Sequence, residues 1–406
     1  MTAFDVAIVG GGIAGCSAAF HLRRRGASVV LCERGACGSQ ASGVNYGGVR
    51  QQGRDLAELP LARRSRAIWA QLPELIGTNC EFVASGHLKL ARSEADMQEL
   101  ESYANRARSA GLVLTLIGRE TLRREYPWLG STIVGGSLCA EDGHANPRLL
   151  APAFARAARK MGADIRENAE VVALEGRAGS FGLRTRDGHS IRANRLINAA
   201  GAWGATLAER FGERVIESVL APNMCVTEPI PYFLKPNLGV CGGAIYMRQV
   251  ARGSVIFGAG IGSADREAGR AYPNPDATME AARLAVELVP RLRSASIIRT
   301  WSGIEGEMPD GLPILGPSAT TAGLTHAFGF SGHGFQLGPA VGAVLAELAL
   351  DGTTSTSVTG LGIDRFQGVI ASEPARPPMA VATRAGVGCA EAAMQCSKFN
   401  VGQGGA

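Results

Sequence analysis

Several features are missing from this sequence of 406 residues, and each absence closes a class of explanation. Its nine cysteines (Cys16, Cys32, Cys37, Cys80, Cys139, Cys225, Cys241, Cys389 and Cys396) contain no Cys-x-x-Cys pair, so neither a metal site nor an iron–sulfur cluster is expected on this chain alone. Their scatter among apolar neighbours points to free, mostly buried thiols in a reducing compartment. No apolar run reaches the ~18–20 residues that span a bilayer, and Met1-Thr2-Ala3-Phe4-Asp5 runs straight into a strand without a secretory leader. A cytoplasmic protein is therefore expected. Charge is sparse at 19 % and dispersed: 41 basic against 36 acidic residues give +5. The densest basic runs, Arg23-Arg24-Arg25 and Arg63-Arg64, fall in helix-like patterns and read as solvated faces. Without an aromatic-plus-basic stripe, nucleic acid is not an expected partner. There is no internal repeat, and the glycines have no period of three, which removes collagen. With 46 % hydrophobic residues, disorder and coiled coil are also excluded.

What is abundant is glycine, 54 of 406 residues, about 13 % against a usual ~7 %. In a chain long enough for two domains or one large α/β unit, this excess means that backbone must approach something closely. A bound cofactor is the natural candidate.

The first strand reads Phe4-Asp5-Val6-Ala7-Ile8-Val9, a continuous apolar run of the buried parallel type. A helix follows over about 13–25 and stops at Gly26; a second apolar run, Ser28 to Cys32, ends at Glu33. Further helices are expected near 56–72, 94–110, 147–161, 276–289 and 338–350. Strands are expected at Glu170–Leu174, Phe181–Thr185 and Ser190–Ile191, with Asp187-Gly188 as a hairpin turn, and at Leu196–Asn198 before a glycine turn. Residues 215–262 read as β-rich, and 372–406 as a loosely ordered tail or docking segment.

Gly10-Gly11-Gly12-Ile13-Ala14-Gly15 matches G-x-G-x-x-G, with Gly10, Gly12 and Gly15 in the three glycine positions. The first allows a tight turn, the second lets backbone reach a pyrophosphate, and the third lets helix and strand pack closely. The helix N-terminus turns free N–H groups toward the phosphates, and Glu33 stands where a carboxylate can take ribose hydroxyls. Both NAD and FAD use such a unit. FAD is favoured by the fingerprint's position within ten residues of the N-terminus and by the loop Gly38-Ser39-Gln40-Ala41-Ser42-Gly43. A later strand-and-glycine element, Asn198-Ala199-Ala200-Gly201-Ala202-Trp203, favours it too.

With these elements the sequence resembles, over about residues 4–366, the D-amino-acid-oxidase-like family of FAD-dependent amine oxidoreductases. Within it the chain is most similar to glycine oxidase, sarcosine oxidase and the flavin-bearing subunits of opine and D-hydroxyproline dehydrogenases. The resemblance implies an α/β (α+β overall) fold. A discontinuous Rossmann-like FAD-binding domain (1–80, 145–215 and 310–371) would carry an inserted antiparallel β-sheet substrate domain (81–144 and 216–309). It implies FAD contacts at Gly10, Gly12, Ile13, Ala14, Gly15, Glu33, Arg34, Ser39, Ser42, Gly43, Gly47, Gly48, Val172, Ala200, Gly201 and Trp203. It adds a C-terminal flavin element, Gly329 to Pro339, in which Gly332, His333, Gly334, Phe335 and Gln336 would touch FAD and Pro339 would suit the first helical turn. That helix start can stabilise negative charge on the flavin.

Amine oxidation by a flavin needs orientation more than acid–base machinery, typically a basic group clamping the substrate carboxylate. Arg50 is the first candidate and Arg54 stands just after it; Tyr246, Arg248 and His333 complete the expected catalytic set, His333 equally as a packing residue. Four positions depart from the resembled enzymes. The cysteine that attaches flavin in sarcosine oxidases falls at Gly303, so FAD should be non-covalent. Glu305 replaces a carboxylate-binding arginine, which would repel a carboxylate or favour a substrate with an added cationic group, as in arginine-derived opines. Ile256 and Gln336 stand in place of lysines, the first of which promotes reaction with oxygen. The resemblance with these departures implies a dehydrogenase for secondary amines or D-amino acids. Hydride would pass to flavin N5, the imine would be hydrolysed, and electrons would leave through a partner subunit or membrane acceptor. The alternatives are a stand-alone oxidase making hydrogen peroxide and a non-catalytic flavin electron-transfer or assembly subunit.

Overall fold

The computed structural model describes residues 3–366; the 372–406 segment lies outside the described residues. The strand Phe4–Val9 sits in the middle of an eight-stranded sheet, parallel to Val29–Cys32 on one side and Ser190–Asn198 on the other. Asp164–Arg166 and Leu324–Phe328 extend the parallel array outward on the two sides, and Ile314–Pro317 adds an antiparallel edge. The short strand expected at Ser190 and the one expected at Leu196–Asn198 are a single nine-residue strand. Its first half closes the Asp187-Gly188 hairpin with Ser180–Thr185, and its second half enters the parallel core. Burial alternates along the first half and becomes continuous in the second, as expected where one face and then both faces are covered.

Helix Ile13–Arg24 packs between helices Pro147–Lys160 and Gly334–Asp351, and together they bury Ile8, Leu22, Leu31, Phe154 and Leu345. Each such side chain contributes about 1.5–3 kcal/mol of apolar burial. The approach of the last helix to the first depends on missing side chains. A Cβ on Gly338 would lie 2.6 Å from Ile13, and one on Gly342 would run into Ser17. The last helix begins at Gly334, four residues earlier than its apolar pattern suggests, so Pro339 lies inside it and not in its first turn. Gly334 and Gln336 interrupt the apolar run in the first turn; Gly334 and Phe335 line the cavity, while Gln336 and Leu337 are buried among the helices. The Pro339 carbonyl accepts from Ser17 Oγ at 3.1 Å.

The second eight-stranded sheet runs in the order Ile297–Ser302, Pro222–Pro229, Ser254–Ile261, Tyr246–Gln249, Asn237–Val240, His87–Ala91, Gly135–Cys139, Thr115–Gly118. Every pair is antiparallel except Asn237–Val240 with His87–Ala91, which is parallel and makes the sheet mixed. The two-residue period sorts its faces. Leu88, Leu90, Leu238 and Met247 join a core with helix Pro275–Leu288 through Ala281, Ala285 and Leu288. His87, Lys89, Asn237, Gly239 and Tyr246 point the other way, into a cavity. The cysteines Cys16, Cys32, Cys37, Cys80, Cys139, Cys225 and Cys241 are free and buried. Among the described residues no helix is long and apolar enough to cross a membrane, and no group of His, Cys, Asp and Glu gathers as a metal site.

Candidate active site

A cavity of ≈ 570 Å³ lies between the fingerprint and the second sheet. Its first wall is the Gly10–Gly15 turn. Gly10 has φ +107°, and a Cβ there would strike the Ala199 carbonyl; a Cβ on Gly15 would strike the Gly10 carbonyl. Both positions exclude any side chain. Gly12, Ile13 and Ala14 face the cavity at the start of the first helix. Ser42 Oγ accepts from the Ile13 N–H at 2.9 Å, tying the Gly38–Gly43 loop to that helix start. Gly43 is needed there because a Cβ would meet the Gly38 carbonyl.

Glu33 closes the second strand with its carboxylate accepting from Gly11 N at 2.6 Å and Gly35 N at 2.8 Å. Each oxygen keeps a lone pair for further donors. Arg34 lays its guanidinium 3.5 Å from the ring centre of Trp203, whose Nε1 donates to the Arg266 carbonyl. Arg34 Nη2 is buried without a partner. Gly201 lines the cavity and Ala200 adjoins it in the chain. Ser39 is exposed, and Val172 is 37 % exposed on the hairpin strand; neither lines the cavity.

The remaining walls come from the loop after residue 44, the second sheet and the segment 329–335. Gly47 has φ +85°, a conformation that leaves no room beside the Ala145 carbonyl and the Arg248 guanidinium. Gly48, Arg50, Tyr246, Gly332, His333, Gly334 and Phe335 line the cavity as expected from their place in the sequence. Two further expected residues stand elsewhere. Arg248 is covered by Tyr46: its Nε donates to the Tyr46 carbonyl at 2.7 Å and its Nη1 reaches His144 Nδ1 at 3.2 Å. It shares the face of Tyr246 by strand period but holds the loop, not the cavity, and burial lowers its pKa to about 10. Gln336 is turned by the early helix start toward helix Leu59–Ala70, where its Nε2 donates to the Ala62 carbonyl at 2.8 Å.

His333 has its Nδ1 3.0 Å from Glu58 Oε1 and 2.9 Å from Oε2. Burial and then the Arg54 charge hold the imidazole near pKa 4, so at neutral pH it is neutral and donates Nδ1–H to the carboxylate. Burial alone would raise Glu58, but the His333 hydrogen bond and the Arg54 charge outweigh it and leave Glu58 lowered. Arg54 is 3 % exposed; burial and the Arg50 charge bring it down to about 9, and its Nη1 has no acceptor. Glu305, on the short strand Glu305–Glu307, lines the cavity with Oε2 unpartnered, and burial raises it to about 7. Glu217, whose Oε2 accepts from Ala205 N, is raised to about 7 by burial as well.

Lys89, His87 and Asn237 are wall residues that sequence reasoning missed. In His87-Leu88-Lys89-Leu90 the alternation of polar and apolar residues does not by itself tell a solvent face from a cavity wall. Asn237 Oδ1 is buried without a partner.

A glycine turn with no room for Cβ, a helix N-terminus open to a cavity and a carboxylate ending the next strand define a dinucleotide-binding fold. Residues 5–348 match the family of FAD-dependent oxidoreductases described as DAO, and the chain belongs to that family. It is 29 % identical to glycine oxidase of Geobacillus kaustophilus (strain HTA426), covering 91 % of this chain and 99 % of the relative. It is 27 % identical to one of the subunits of the opine oxidase of Rhizobium meliloti, covering 81 % and 88 %. The solved structure of L-proline dehydrogenase from P. horikoshii superposes with a TM-score of 0.83 at 28 % identity, covering 90 % of this chain and 98 % of that one. FAD is therefore the cofactor, and the wall fits it. Gly12 and Ser42 would hold the pyrophosphate, Glu33 the ribose, and the 45–48 and 329–335 segments the ring.

Proposed function

We propose that the chain is a dehydrogenase that oxidises the C–N bond of a secondary amine or D-amino acid of the opine or D-hydroxyproline type, with non-covalent FAD. The observation that carries this reading is the position of Arg50 and Arg54 on the cavity wall next to the ring-binding segment, where a substrate carboxylate would be held. Bound FAD supplies the acceptor for a hydride from the carbon beside the nitrogen. Arg50 orients that carbon through the carboxylate, and Tyr46 and Tyr246, packed edge to face at 4.8 Å, exclude water beside it. Loss of the hydride and the N–H proton leaves an imine, which water hydrolyses to a 2-oxo acid and an amine. Gly303 supports non-covalent attachment, since a Cβ there would run into Val44.

Passage of electrons to a partner subunit is supported by two points. Ile256, on the strand Ser254–Ile261, aligns in sequence with the lysine that promotes reaction with oxygen in the resembled enzymes, and one relative is by name a subunit of an opine oxidase. The proposed division into an FAD domain (1–80, 145–215, 310–371) and a substrate domain (81–144, 216–309) is supported by the membership of the two large sheets. Anaerobic mixing of the purified protein with opines and D-amino acids should bleach the flavin band. No bleaching by any secondary or D-amine refutes the reading. Oxygen uptake by the single chain as fast as dye reduction selects a stand-alone oxidase instead.

A further inference from the structure

A hydride leaves the carbon beside a nitrogen only when that nitrogen has a free electron pair, and an amino acid reaches the cavity as an ammonium. One proton must therefore leave the nitrogen first, and few groups on the wall can take it. His87 is held well below its ordinary pKa by burial and then by Arg50, Lys89 and Arg54. His333 is held near 4, with Nδ1 engaged by Glu58. Burial pushes Tyr46 and Tyr246 up, so their phenols keep their protons. Arg50, Arg54 and Lys89 are donors without a lone pair. Glu305 remains, the one carboxylate among the described residues that line the cavity.

The fold holds Glu305 between the two segments proposed to carry the flavin ring. Its strand is fastened to the 329–335 segment: Ser331 N donates to the Gly306 carbonyl at 2.9 Å, Met308 N donates to Ser331 Oγ at 3.1 Å, and Glu307 bridges Phe330. Just before it in the chain, Trp301 Nε1 donates to the Val44 carbonyl at 2.7 Å, and Gly303 packs against Val44 at the start of the 45–48 segment. Glu305 Oε2 lies 3.6 Å from where a Cβ on Gly332 would stand, and no hydrogen-bond donor of the chain reaches it. Tyr246 faces it from the second sheet, and His333 adjoins Gly332. Glu217 lies behind the strand, with Oε1 against Gly306, and does not line the cavity. Burial raises Glu305 to about 7, close to the working pH at which a general base is most effective.

We propose that Glu305 is the catalytic base that frees the substrate nitrogen: Oε2 takes the ammonium proton, an N–H bond breaks, an O–H bond forms, and the electron pair stays on nitrogen. This deepens the amine-dehydrogenase reading and rests on it.

The first measurement is binding to the FAD-loaded protein of two ligands that have no hydrogen on the carbon beside the heteroatom. They are 2-aminoisobutyrate, an ammonium, and 2-hydroxyisobutyrate, its alcohol counterpart; perturbation of the flavin absorbance reports each Kd. The ammonium should bind at least about tenfold tighter, and the gap should open as pH rises through about 7 and Glu305 ionises. Glu305→Gln should close the gap with FAD content unchanged; should it lose FAD, Glu305→Ser replaces it. The second measurement is anaerobic bleaching of the flavin at low amine concentration, by D-proline or by whichever opine or D-amino acid bleaches it fastest. In the unsubstituted protein the second-order rate constant should level off above about pH 7. In Glu305→Gln it should be about 10²–10⁴-fold lower there. It should then climb about tenfold per pH unit, as free amine from solution replaces the missing base. Glu305→Asp should restore the plateau at a lower rate, and Glu217→Gln should keep the unsubstituted profile. A binding gap absent at every pH, or a Glu305→Gln profile parallel to the unsubstituted one, overturns the base and leaves the amine reading standing. If no amine bleaches the flavin, the amine reading falls and the base with it.

Discussion

The two walls of the cavity are built to opposite rules. On the fingerprint wall Gly11 N and Gly35 N donate to Glu33 and Ile13 N to Ser42, and Arg34 Nη2 is the buried atom there that lacks a partner. The glycines of this wall are packed to the point where no side chain fits. On the second wall Arg54 Nη1, Glu305 Oε2 and Asn237 Oδ1 are buried without partners, and three cations face one carboxylate. A similar contrast separates two buried His–Glu pairs. His326 has both ring nitrogens engaged, by Asn198 and Glu213, and is sealed in the sheet. His333 has one nitrogen on Glu58, and its residue lines the cavity. Satisfied polar groups hold a shape; unsatisfied ones store a cost that a ligand can relieve. On the proposed reading the first wall is framework for the cofactor, and the second is where the substrate would bind.

Substitutions on each wall should therefore fail differently. The largest effect is expected from Gly15→Ala, whose new methyl meets a backbone carbonyl that nothing can move aside. It should cost at least about 1–3 kcal/mol and release FAD, read as lost flavin absorbance and a lower Tm. Arg54→Gln should keep FAD but raise KM for a carboxylate substrate about thirtyfold or more, the usual scale for removing a buried charged partner, as measured by anaerobic dye reduction. If Arg54→Gln also loses FAD, the two walls are not separate. Arg34→Ala removes the guanidinium stacked on Trp203; flavin fluorescence titration should show FAD bound only about threefold to thirtyfold more weakly.

The smallest effect concerns pH. Glu305 and Glu217 are raised from 4.5 to about 7 by burial, so between those values the folded chain holds protons that the unfolded chain has lost. Both groups then lower stability as pH rises through that window. In the FAD-free protein Tm should fall across that range on their account, and Glu305→Gln and Glu217→Gln should each flatten part of the fall.

The fingerprint wall is legible in the sequence because its constraints are local. Gly10, Gly12, Gly15 and Glu33 lie within one βαβ unit, where spacing in the chain is spacing in space. The final helix starts four residues before the expected 338, because Gly334 and Gln336 interrupt the apolar run there although Phe335, Gln336 and Leu337 are as buried as the residues that follow. Gln336 and Arg248 stand away from the cavity for a related reason: a residue's position in a motif does not say which neighbour covers it. Tyr46 covers Arg248, and Ala62, Ser65 and Trp69 receive Gln336.

Lys89 shows the limit most plainly. Its strand pattern states that it faces away from the leucines, and nothing local states what lies there. That is decided by the sheet as a whole, which sets Lys89 beside Gly239 and carries it over the loop of Arg50 and Arg54. The plentiful glycine of the sequence already points to a bound cofactor, and the Gly10–Gly15 fingerprint with Glu33 makes it a dinucleotide. Only the packing of residues far apart in the chain gathers three of its cations onto one wall, because charge becomes a site when distant segments bring it into the same few ångströms.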